Sequence, residues 1–478
     1  MFVHGGYDFL GVIHICVVAC AFLLGSTLRA RIRFFQEYLI PAPMIGGVFL
    51  FLFYNFAAGR LGLTGGKQFL EAMMFHLLNI SFIAMQLRMP VHTKLQRNAR
   101  VKQNVCALMA EYGMQGFFGL LAVILVFNKR YAGAARSLGL TLCLGFELGP
   151  GQAESLAKVW EGAPYNVYNA GNVGLAMAAI GFVTGSVVGV FLINRAARKG
   201  WLSYEYVDQL KHRKAGNGFF KRKQDRVPSS FQTTSSDTMD SFTLHIALIM
   251  FAYMLSYLFL SGVEYLVAKY VGGKPLEVVK GFWGINFIVS SLFARLERWF
   301  LIVTHSPHVV DNATCNRIDG IAVDFMVIAC LGAIEVVTIK TYWLLILVLT
   351  FTGIIITCYI TPWFCSRLFG DFSFMRFLMI FGTANGTLPT ALSLLRVVDP
   401  NFETQVAQDY IGATGFMFIL ALPILALINW PAMGHTFRYL CLLAGYVIVA
   451  FVMYVMLAGK RAFAEPRKYF FMEKKQKA

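Results

Sequence analysis

Apolar runs close to the ~20 residues a helix needs to cross a bilayer recur along this chain, at 8–28, 41–58, 69–87, 104–127, 167–194, 242–268, 281–303, 318–338, 342–366, 405–429 and 435–459. In lipid every backbone N–H and C=O must be satisfied internally, so runs of this length predict a bundle of spanning helices. With 57% hydrophobic and 14% charged residues among 478, the chain lies outside the range of soluble globular proteins. A net charge of +17 raises the question of nucleic acid, but the Lys and Arg fall mainly in the connections. Positive-inside topology accounts for them, and no nucleic-acid partner is expected. The nine cysteines are scattered singly, with Cys16 and Cys20 the one close pair, and read as small buried hydrophobes.

Two segments break the pattern. Leu144-Gly-Phe-Glu-Leu-Gly-Pro-Gly-Gln-Ala-Glu-Ser155 is apolar at its start but carries Gly149-Pro150-Gly151 and two acids, Glu147 and Glu154. A helix entering it should stop, and another should begin near Pro150. Broken backbone and carboxylates at membrane depth are tolerated only when buried in protein or lining a wet cavity, so a re-entrant hairpin is expected. Phe381-Gly-Thr-Ala-Asn-Gly-Thr-Leu-Pro-Thr-Ala-Leu-Ser393 is the counterpart, with Gly382 and Gly386 matching Gly145 and Gly149. Each copy is followed by an apolar span ending in Leu-Ile-Asn, about 45 and about 43 residues beyond the second glycine of its pair, the spacing of duplicated transporter halves.

The expected organisation follows. Residues 1–194 form a first repeat with a hairpin at about 137–160, and 195–240 form a basic linker with a Ser/Thr-rich end. Residues 241–430 form a second repeat with a hairpin at about 371–396, and 431–478 an extra span and basic tail. Five crossings per half invert the second repeat relative to the first. Basic clusters at Arg29–Arg33, Arg88–Lys102, the linker and the tail place all of these in the cytoplasm. Arg367 and Arg376 then mark a cytoplasmic entry to the second hairpin. The first eight residues lack Lys and Arg, which predicts an uncleaved first span with its N-terminus outside.

The order of Tyr38-Leu-Ile-Pro-Ala-Pro-Met-Ile-Gly-Gly47, the first hairpin and the run from Gly382 to Ala391 resembles the sodium/glutamate symporter family over roughly residues 8–430. The resemblance implies a secondary transporter with two inverted five-span halves, a homodimer, Na⁺ as coupling ion and glutamate or a related substrate. It also implies a multi-pass protein of a bacterial inner membrane. Typical members carry a Gly-Gly-His-Gly-type run in the first hairpin and a Gly-His run entering the second, whereas neither hairpin here contains histidine.

The candidate site residues are Glu147, Gly149, Gly151, Glu154, Asp324, Asn385, Gly386, Thr387, Pro389 and Thr390. Half-helices starting at Pro150 and Pro389 would present unpaired N–H groups to a carboxylate. Backbone carbonyls, Thr hydroxyls, the Asn385 amide and a carboxylate, Glu147 or Asp324, would suit Na⁺. Glu154 has an equal claim to a role balancing its own helix dipole. Asp324 is favoured because an ionised acid in mid-span is costly, while Glu71 and Glu335 read as interfacial. His76 and Asn79 read as bonds to a neighbouring helix. Two alternatives stay open: a proton-coupled transporter of another small carboxylate, and a non-transporting sensor or scaffold of the same fold. No nucleophile constellation, zinc signature or phosphate loop appears, so neither an enzyme nor a cofactor beyond the coupling ion is expected.

Overall fold

The computed structural model describes residues 3–4, 7–89, 99–127, 130–131, 133–202, 230–235, 237–272, 276, 279–280, 282–399 and 404–463. Most of the basic linker, part of the loop after the third span and the tail beyond 463 lie outside the described residues. Among the described residues the regular structure is helical, apart from a two-residue antiparallel ladder, Val3–His4 with Tyr7–Asp8.

In chain order the helices are α1 (Leu10–Arg31), α2 (Ala42–Leu61), α3 (Gly66–Leu87), α4 (Ala99–Phe127), α5 (Pro150–Lys158) and α6 (Ala170–Lys199). They continue as α7 (Ser241–Tyr270), α8 (Asn286–Val303), α9 (Asn312–Ala333), α10 (Val336–Leu368), α11 (Ser373–Ala384), α12 (Leu388–Val398), α13 (Val406–Ala426) and α14 (Thr436–Ala458). Among the described residues eight helices are long and apolar enough to span a bilayer, and α13 makes a ninth when read across its bend. The protein is therefore an all-α polytopic membrane protein.

The helices form two bundles. In one, α9 lies between α2 and α3, with α1 on α2 and α7 and α8 beside α3; in the other, α4 is surrounded by α10, α11, α13 and α14, and α5 packs on α6. The first three helices of each half thus share one bundle, and the elements that follow share the other.

Close helix approach explains the Pro-x-Pro-x-x-Gly-Gly stretch. Pro43 sits in the first turn of α2. A Cβ on Gly46 would fall 2.5 Å from the Ala21 carbonyl oxygen, and one on Gly47 2.6 Å from Leu331 Cβ, so only glycine lets α1, α2 and α9 meet this closely.

α9 starts at Asn312 rather than at 318 and ends at Ala333 rather than 338. Asp311 caps it, accepting from the Thr314 backbone N–H at 2.8 Å. One side of its polar first half packs on α3, where Ser81 donates to Asp319 at 2.6 Å and Arg88 pairs with Asp319 at 3.4 Å. Hydropathy reads such turns as loop because the charges are neutralised by another helix.

His76 bonds Tyr253 at 2.8 Å, and Asn79 accepts from Ser290 at 3.0 Å, so both tie neighbouring helices. Of the cysteines, Cys106, Cys143, Cys315, Cys330 and Cys365 are buried; Cys16, Cys20 and Cys441 face outward, contrary to the expectation for them.

Candidate functional site: two helix breaks that meet

Both interrupted segments fold as two short arms around a break. The first arm, 133–148, winds as a 3₁₀ stretch, one α turn and a π turn at Leu144–Leu148, and stops at Gly149. Gly149 has φ 90° and ψ −179°, a region essentially closed to residues with a Cβ. Pro150 then occupies the first turn of α5, whose N–H would be unpaired in any case. The second break runs from Asn385 to Thr387 between α11 and α12, and Pro389 lies in the first turn of α12. The arms of this hairpin touch closely: a Cβ on Gly382 would lie 2.5 Å from Ala391 Cα.

The two breaks meet. A Cβ built on Gly149 would stand 3.0 Å from Thr387 Cγ2 and 3.9 Å from the Gly386 carbonyl oxygen. Behind them α6 carries a second π turn, Thr184–Val188, and the Cβ position of Gly185 lies 3.1 Å from the Asn385 carbonyl oxygen and 3.3 Å from Thr390 Cγ2. A third π turn, Ile356–Ile360 in α10, presents Thr357, whose hydroxyl lies 3.3 Å from Asn385 Oδ1. Asn385 is fully buried, and its amide also donates to the Phe381 carbonyl at 2.8 Å.

Glu147 is buried at the end of the first arm, and its Oε2 has no hydrogen-bond partner among the described residues. Its titratable neighbour is another acid, Glu111 of α4. Glu111 touches the Thr361 hydroxyl and accepts at 3.4 Å from Gln115, which donates to the Ala384 carbonyl at 3.0 Å, just before the second break.

The structure thus gathers Glu147, Gly149, Asn385, Gly386, Thr387 and Thr390, with the backbone of Pro389, at one place. Three candidates lie elsewhere. The Cβ position of Gly151 meets Met326 Sδ at 2.6 Å and Leu78 Cδ1 at 2.8 Å, so Gly151 serves the contact of α5 with α3 and α9. Glu154 is buried among Glu71, Lys158 and Glu161. Asp324 lies on the exposed side of α9, with Gly320 and Ile321.

The acids read as interfacial tie the bundles together. Lys158 of α5 pairs with Glu71 of α3 at 2.5 Å, and Asn172 of α6 donates to Glu71 at 3.3 Å. Glu335 accepts from Asn169 at 3.0 Å and lies 3.7 Å from Lys67.

Arg367 and Arg376 are fully buried rather than held at a basic surface. Arg376 pairs with Asp409 of α13 at 2.9 Å, and Arg367 folds over the Trp363 ring at 4.4 Å while donating to the Trp363 carbonyl.

Sequence reasoning missed Glu111, Gln115, Thr357 and Thr361. Glu111 was detectable, because it is an acid inside an apolar run just as Asp324 is. The two threonines carry no signal of their own, since a spanning helix satisfies a Thr hydroxyl with its own backbone carbonyl.

A two-bundle helical fold with paired helix breaks buried at its centre defines the class, a polytopic membrane transporter. The sodium/glutamate symporter family profile matches residues 9–279, more than half of the chain, and the chain belongs to that family. No curated protein matches it in sequence. Among solved structures the chain is similar to a sodium proton antiporter from Methanocaldococcus jannaschii determined at pH 8. The identity is 14%, over 94% of this chain and 99% of that one, with a TM-score of 0.35.

Proposed function

We propose that the chain is a secondary active transporter that takes up glutamate or a similar amino acid or organic anion, with Na⁺ as the driving ion. The observation that carries the reading is the meeting of the two breaks, Gly149 against Thr387 and Gly386, which brings the first turns of α5 and α12 to one place. First-turn N–H groups lack intrahelical acceptors and carry the positive end of the helix dipole, which suits a substrate carboxylate. The Glu147 carboxylate, the Thr387 and Thr390 hydroxyls and the carbonyls of the breaks supply oxygen donors of the kind Na⁺ takes at discontinuous helices. Membership of the family supports the choice of glutamate and Na⁺.

The same reading places the protein in a bacterial inner membrane as a homodimer, with its N-terminus outside and its linker and tail in the cytoplasm. Proteoliposomes given labelled glutamate under an inward Na⁺ gradient should accumulate it, and should stop when choline replaces Na⁺. Accumulation undiminished in choline but abolished by a protonophore would overturn Na⁺ coupling. Absence of uptake for every acidic and neutral amino acid, under Na⁺ and H⁺ gradients alike, would overturn the transport reading.

A further inference from the structure

We propose that Glu111 carries a proton in this conformation, and that losing it releases the second helix break, which makes a proton a coupled species alongside the cation. The coupling half of this inference rests on the transport reading; the proton itself does not.

Thr361 Oγ1 contacts Glu111 Oε1 and also lies 2.9 Å from the Ile356 carbonyl oxygen. A hydroxyl has one proton to give, and a carbonyl has none. If Thr361 donates to Ile356, the contact with Glu111 holds a hydrogen bond only when the carboxyl itself donates. A protonated Glu111 completes the chain: Glu111 O–H to Thr361 Oγ1, and Thr361 O–H to Ile356 O. An ionised Glu111 would instead claim the Thr361 proton and leave the Ile356 carbonyl without it.

The surroundings agree with a neutral group. Glu111 is 1% exposed, and desolvation disfavours an ionised carboxylate at such a position when no cation stands beside it. The titratable groups facing it are Glu147 from the first arm, Cys358 and Cys365 from α10 and Tyr410 from α13. On α4 itself its neighbours are Tyr112 and Gln115. The two fully buried arginines of this bundle are engaged elsewhere, Arg376 of α11 with Asp409 and Arg367 of α10 over the Trp363 ring, and Arg100 at the start of α4 pairs with Asp371.

Release of the proton has a path to the break. The Thr361 hydroxyl bond to Ile356 lies over the π turn Ile356–Ile360, which the Thr361 backbone N–H also closes, and the turn sets Thr357, whose hydroxyl is 3.0 Å from the Gly353 carbonyl and 3.3 Å from Asn385 Oδ1, beside the second break. Glu111 also meets Gln115, whose amide holds the Ala384 carbonyl next to Asn385. Ionising Glu111 therefore alters both supports of the second break. Over a cycle the proton is taken from water on one side and returned to water on the other, and nothing else is consumed.

Infrared difference spectroscopy of purified protein in H₂O and D₂O tests the proton without requiring transport. Wild type should show a carboxylic-acid C=O band that shifts on deuteration; Glu111→Gln should lose it and Glu147→Gln should keep it. A wild type without the band, or one that loses it only in Glu147→Gln, would overturn the assignment. In proteoliposomes, uptake by the wild type should vary with pH by up to about tenfold per pH unit, the limit for one proton. It should be flat in Glu111→Gln and displaced along the pH axis in Thr361→Val, where no hydroxyl receives the proton. Should Glu111→Gln fail to accumulate, Thr361→Val carries the test, and an unmoved profile there counts against the proposal. A protein that keeps the infrared result but transports nothing would refute the transport reading and leave the proton in place.

Discussion

Gly149 concentrates the sharpest residue-level constraint, because its φ of 90° with ψ of −179° admits glycine almost alone and its Cβ position faces the Thr387 methyl at 3.0 Å. Gly149→Val should strain the break by about 1–3 kcal/mol, abolishing uptake while surface biotinylation still finds the protein inserted. Gly386→Val should do the same, since its Cβ position lies 2.9 Å from Thr390 Oγ1. Normal uptake by both variants would remove the breaks from the mechanism.

A different residue sets an acid limit on stability. Burial of Asp311 would raise its affinity for a proton, but bonds from the Thr314 hydroxyl and from the Phe231 and Thr314 backbone N–H groups outweigh it and hold the carboxyl below its ordinary value. A folded value below the unfolded one means the contribution is present above about pH 4 and fades as pH falls through the folded value. In detergent, Asp311→Ala should cost about 1 kcal/mol of cap stability at neutral pH, and the gap in melting temperature from wild type should close at the acid end. A gap that does not narrow with acid would assign Asp311 no such role.

Among the elements, the contact of α5 and α6 with α3 and α10 carries polar ties, Lys158 to Glu71 and Asn169 to Glu335, beside an apolar seam that includes Leu78, Leu156, Leu175 and Leu345. Partly exposed pairs of this kind contribute roughly 0–1 kcal/mol each, so the polar ties add register to the contact more than strength. Cysteines at 71 and 158 joined by a short bifunctional reagent should slow uptake, and a reductant that cleaves the linker should restore it. Uptake indifferent to the link would mean the bundles do not part there.

The same elements show what could be read in the chain. The helix breaks were legible because Gly149-Pro150-Gly151 is incompatible with helix whatever surrounds it. Which acids stand beside the breaks was not legible, because that depends on helix rotation in an environment where every face is apolar. Asp324 and Glu111 look alike in sequence, yet one faces outward on α9 and the other is sealed against α10. Arg376 passed for a surface anchor because its partner, Asp409, belongs to another helix.

At the scale of the whole molecule, helices equivalent by order in the two halves fall into the same bundle. That grouping is what a duplicated chain produces when its halves interlock rather than stand apart. In the proposed topology five crossings from an outer N-terminus bring the linker to the cytoplasmic side, five more lead outward, and the extra span returns the tail inward. A cysteine introduced at Ser235 should resist an impermeant thiol reagent in intact cells lacking other reactive thiols, and should label once the membrane is opened. Labelling from outside would reverse the whole topology.

The three π turns that face the breaks, Leu144–Leu148, Thr184–Val188 and Ile356–Ile360, each hold one residue more than a regular helix would need. Removing a single residue from one of them would let the helix close normally, leaving the flanking turns near their present orientation and changing which side chains line the turn itself. Shortening Thr184–Val188 by one would swing the Gly185 face away from Asn385 and bring a bulkier neighbour to the second break, with the length of α6 barely altered. Descendants of this chain thus have access to a local dial on their own interior, in which a codon gained or lost changes the lining of one turn at the breaks and no individual side chain has to mutate.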